Sequence, residues 1–135
     1  MLKFIIKRNL PRVQEGAHVM DELIRRLVAD IGIDQTTALK SVGIILAFLA
    51  NEGPPDSVKS LIGRLPGAQD ALGAVGMEAG AGGMMGAGMK LMAAGLSMGQ
   101  IQSVIRGLIS YAREQGGEKE LAEIARSIPS LSQFV

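Results

Sequence analysis

One pattern occurs twice along this chain, and few folds can accommodate it. Gly32-Ile33-Asp34 returns as Gly95-Leu96-Ser97, and the apolar stripe that follows keeps the same offset without a gap. Val42 pairs with Ile105, Ile45 with Leu108, Leu46 with Ile109 and Phe48 with Tyr111. Gly53 then falls on Gly116, Val58 on Leu121, Leu61 on Ile124, Leu65 on Ile128 and Pro66 on Pro129. Each copy reads glycine stop, cap, long apolar helix, glycine stop, short helix, proline. Glycine ends a helix by taking left-handed backbone. The Asp or Ser that follows accepts a bond from an amide the next helix leaves unpaired. Stops, caps and buried stripes in one register predict a tandem duplication.

A first helix precedes the pattern. Met20, Leu23, Ile24, Leu27, Val28 and Ile31 keep the spacing of one helix face, with Glu22 and Arg26 as an i, i+4 pair on the other. The second copy has a helix at the corresponding place, but its stripe, Met85, Met89, Met92 and Leu96, departs from the register of the repeat. Between the copies, the density of glycine and alanine from Gly73 to Gly83 predicts a flexible linker. The alternative is close packing through Gly82 and Gly86. The fold class expected is all-α, with two tandem three-helix repeats packed as one compact bundle of about six helices. Burying two apolar faces against each other is worth more than two small separate cores. The boundaries expected are a basic segment over 1–19, repeat 1 over 20–69, linker over 70–82 and repeat 2 over 83–135.

Composition removes most chemistries. The chain has no cysteine, a net charge of +1 and a single histidine, His18. Thiol nucleophiles, cysteine–zinc sites and a charged disordered tail are excluded, and one histidine makes a zinc site poor. No nucleophile elbow around serine is present. Gly80-Ala81-Gly82-Gly83 lacks the Gly-Lys-Ser/Thr ending of a phosphate loop. Glu118, Glu120 and Glu123 open the last helix, where acidic residues complement the helix dipole. Basic residues are scattered without interleaved aromatics, so no nucleic acid is expected as a partner. No metal, cofactor or catalytic residue is expected, and the chain reads as no enzyme.

The N-terminal segment, 1–19, matches neither copy. Lys3, Lys7 and Arg8 flank Phe4, Ile5 and Ile6, too short an apolar core for a signal peptide. No transmembrane helix is read either, so the chain is expected in the cytoplasm. Gln14-Glu15-Gly16 can be encoded by a purine-rich run like a bacterial ribosome-binding site. A native start at Met20 is therefore expected, with 1–19 an upstream extension. The competing expectation is a basic arm that docks on a membrane or a partner.

Methionine is the remaining anomaly. Six of the eight methionines crowd into the stretch from Met77 to Met98. Methionine fills irregular cores, and it also suits adaptable contact surfaces. A copper(I) thioether site would lack a histidine or cysteine to assist.

Leu23 to Pro129, with Gly32-Ile33-Asp34, Leu65-Pro66-Gly67 and the Gly/Met-rich stretch before Gly95-Leu96-Ser97, resembles the small helical bacterial proteins of the VcgC/VcgE-like group, a domain of unknown function. The resemblance implies no activity, ligand or site residue. The functional expectation from the residues is a non-catalytic helical interaction module. Its contact face is Met85, Met89 and Met92, and its partner is an unidentified protein or a second copy. The alternative is a peripheral membrane protein held by Phe4, Ile5 and Ile6.

Overall fold

The computed structural model describes residues 15–65 and 67–134, with the side chains at 15–21, 77, 130, 133 and 134 outside the description. Phe4, Ile5, Ile6 and Pro66, and with them most of the N-terminal segment, therefore lie outside the described residues.

Among the described residues seven α-helices follow in order: α1 Glu15–Ile31, α2 Gln35–Glu52, α3 Pro55–Gly63, α4 Ala68–Val75, α5 Gly83–Ala93, α6 Met98–Glu114 and α7 Glu118–Ser127. Short 3-10 turns occupy Met77–Gly80 and Pro129–Phe134, and no strand occurs among the described residues. The protein is all-helical. Helix α1 begins at Glu15, earlier than the start expected near Met20, so the backbone of His18 is helical.

The local signals act as their chemistry requires. Gly32 and Gly95 take left-handed backbone, with φ of +83° and +107°. The Asp34 carboxylate accepts the Thr37 amide at 2.7 Å and caps α2. The Ser97 hydroxyl accepts the Gln100 amide at 3.2 Å, while the Gln100 side chain accepts the Ser97 amide at 2.9 Å and closes a capping box on α6. Helix α6 starts as far beyond α2 as Gly95 lies beyond Gly32, and α7 stands at the same offset from α3.

Packing crosses between the halves. Helix α1 rests on α6, α5 rests on α2, α3 meets α7, and α2 meets α6. Val42 and Ile105 are both buried in the resulting core, with Leu46, Tyr111 and Ile124.

Where a flexible linker is expected over 70–82, the chain instead forms α4 and the Met77–Gly80 turn, both laid on α2. Small residues make this contact. A Cβ at Gly43 would collide with the Ala71 carbonyl, and one at Gly80 with the backbone of Ala47 and Phe48. Glycine and alanine, which loosen a free chain, here let two backbones meet. Close packing therefore occurs, but at Gly43 and Gly80. Gly82 and Gly86 face each other and the Ala81 carbonyl within their own turn. The extra layer also explains why α2 is apolar on nearly all sides. Its Gly43 and Ala47 are covered, whereas the residues at the offset that carries Gly32 to Gly95, Arg106 and Ser110, line an open cleft between α1 and α6.

Candidate functional site

Helix α5 turns Ala87 and Leu91 into the core. In the register of the repeat these correspond to Ile24 and Val28, so the inward face of α5 keeps the register that its methionines do not. Residues 85, 89 and 92, spaced four and three apart, share the opposite face. Their side chains are open to water, with Met85 78%, Met89 66% and Met92 52% exposed. Met84 and Met98 are exposed as well. Every large apolar side chain left exposed among the described residues is one of these five methionines. The reading of the methionines as core packing does not hold for them.

The corresponding face of α1 shows that the fold does not require this. At the offset that carries Gly95 back to Gly32, Met85, Met89 and Met92 fall on Glu22, Arg26 and Ala29. There Arg26 donates to Glu114 of α6 at 2.9 Å and to Glu22 at 3.0 Å, and its guanidinium lies 5.2 Å from the Tyr111 ring centre. Bonding to Arg26 holds the Glu114 carboxyl below its ordinary range. One half thus places a solvated ion pair where the other places methionines. Free apolar surface of this kind needs a reason beyond folding.

The face is nearly uncharged. Lys90 is the sole charged residue of α5, and its Nζ donates to the Glu78 carbonyl at 2.8 Å. Beneath the helix, a small apolar cavity is lined by Met84, Phe48, Leu91, Ile105 and Leu131, which gives Met84 room to repack. Exposure makes a direct prediction. Mild peroxide should convert Met84, Met85, Met89, Met92 and Met98 to sulfoxides in the folded chain nearly as fast as in urea. Peptide mass mapping reads this, and strong protection of Met85 and Met89 would contradict the placement.

Two of the three glutamates of α7 do more than complement a dipole. The buried Glu120 carboxylate, 6% exposed, accepts from Ser60 Oγ at 2.7 Å and pairs with Arg64 at 3.2 Å. Glu123 accepts from Ser57 Oγ at 2.6 Å. Ser57 and Ser60 on α3 thus meet Glu123 and Glu120 on α7, a polar clamp that the sequence reading missed. The spacing of three on each helix matches, but it marks a contact only once α3 is known to lie against α7. Neither a histidine nor a second carboxylate joins Glu120 in these contacts, so they offer no pair for acid–base chemistry.

Ser60, its own backbone amide and Arg64 hold the Glu120 carboxyl below its ordinary range. The sign follows. A depressed folded value gives stability that is complete above the unfolded value near 4.5 and is lost as pH falls through the folded one. Urea midpoints should therefore drop as pH falls below about 4.5, with a shallower drop in Glu120→Gln. Equal slopes in the two proteins would contradict the clamp.

No group of three His, Asp or Glu side chains capable of holding a metal occurs among the described residues. No single described helix is long and apolar enough to cross a membrane; α1 and α2 approach that composition only as a pair bent by 112°, and α2 is the buried core helix. No family model, curated protein or solved structure matches the chain, so the comparisons assign it to no family.

Proposed function

We propose that this protein is a non-catalytic interaction module whose contact face is Met85, Met89 and Met92 on α5. The observation that carries the reading is the exchange between halves: exposed methionines stand where the equivalent helix has Glu22 and Arg26. The same comparison supports a duplicated origin for the two halves, through shared helix starts, caps and crossed packing. Methionine presents a flexible, polarisable surface that moulds to an apolar partner without a preset shape. The partner chemistry that fits is the apolar face of a protein helix.

The test uses an amphipathic helical peptide of leucine and lysine, titrated calorimetrically into the full chain. The natural chain should bind it, and M85S/M89S/M92S should not. The three sites are exposed, so each substitution should change stability by no more than about 0.5 kcal/mol. Equal binding by both proteins would overturn the assignment of the face.

A further inference from the structure

Resting on that reading, we propose that the face is covered by a second copy of this chain, with two α5 helices crossing antiparallel about a twofold axis near Met89. Two observations point to this occupant, and a third sets how tightly it is held. The first is shape. Met85, Met89 and Met92 project, while Gly88 and Ala93 beside them carry little or nothing, and a Cβ at Gly88 would meet no atom within 4 Å. Projections and hollows on one patch are what a twofold contact needs, since the patch must complement itself. An antiparallel crossing centred near Met89 brings Met85 of one copy toward Met92 of the other.

The second observation is charge. Lys90 keeps its charge but stands off the stripe of residues 85, 89 and 92, drawn toward the Glu78 carbonyl, and the whole chain carries only +1, so two copies meet with little repulsion. A helix that lies on an anionic membrane carries several basic residues and aromatic anchors, whereas α5 has one lysine and no aromatic residue. The third is size. The single short helix α5 spans about 16 Å, a smaller contact than the roughly 800 Å² per partner of stable complexes. The dimer should therefore be weak and reversible.

Sedimentation velocity of the full chain over a concentration series tests this. The average mass should rise from 14.2 kDa toward twice that value, while M85S/M89S/M92S stays at one chain. The chain has no cysteine, so M89C supplies a single reporter, with K119C at an exposed position of α7 as the control. Air oxidation should give a disulfide dimer of M89C well above the control. A mass independent of concentration, with no excess M89C dimer, overturns the proposal. In that event the calorimetric titration separates the two ideas. Binding of the leucine–lysine peptide leaves the contact face standing with another protein as its partner. No binding removes both, as does co-sedimentation through this face with phosphatidylglycerol vesicles in place of the peptide.

Discussion

Val42→Asp is expected to leave the chain without a cooperative thermal transition. Val42 is 0% exposed on α2, the helix against which α1, α4, α5 and α6 all pack. An aspartate there either stays charged in an apolar core or takes up a proton and buries an unpaired carboxyl. Either course costs several kcal/mol. Domains hold together by about 5 to 15 kcal/mol in all, so the loss removes much or all of the margin. Ile105→Asp at the matching place on α6 should also be severe, with a smaller effect, because Ile105 is 8% exposed and lines the small cavity beside exposed Met84, where a carboxylate reaches water sooner. Circular dichroism melts read both. A Val42→Asp protein that melts within a few degrees of the natural chain would contradict the central place of α2.

The second large effect is expected at Gly80. Any side chain there points its Cβ into the backbone of Ala47 and Phe48, which cannot rotate away as a side-chain end can. Gly80→Val should lift the Met77–Gly80 turn off α2 and expose part of the Gly43–Ala47 face. Overpacking of this kind costs about 1–3 kcal/mol, and this site should lie at the top of that range because both sides of the clash are main chain. Gly43→Ala should behave likewise through the Ala71 carbonyl. Gly88→Ala is the contrasting control. Its Cβ has open space, and alanine favours helix over glycine by about 1 kcal/mol, so stability should rise. Urea denaturation of the three variants checks the ordering, and a stabilised Gly80→Val would refute the close packing.

These two sites also mark how far the sequence could be read. Val42, Ile45 and Leu46 announce their burial through helical spacing, and Asp34 and Ser97 announce their caps through the chemistry of short oxygen-bearing side chains. Such signals are local, so they are legible without knowing what packs on what. Gly80 and Gly43 are different. Glycine has the same identity whether it loosens a linker or admits a neighbouring backbone, and only the partner, Ala47 or Ala71, decides between them. Helix α4 went unread for that reason. The methionine face was half legible. Spacing placed Met85, Met89 and Met92 together, but the direction they face depends on Ala87 and Leu91, which fill the core with less bulk than the methionines offered. Met84 and Met98 gave no signal beyond their type. The clamp of Ser57 and Ser60 on Glu123 and Glu120 needed the pairing of α3 with α7, which no local pattern contains.

The interaction reading stands or falls on whether the methionine face makes contacts of its own. Methyl-labelled methionine gives one NMR signal per residue, and the exposed methyls report contact directly. On concentrating the full chain, or on adding the leucine–lysine peptide, the Met85, Met89 and Met92 signals should shift or broaden together, while the methyls of buried Leu46 and Ile124, labelled in parallel, stay in place. If the three methionine signals hold still under both conditions, the face is inert surface and the proposed function is wrong.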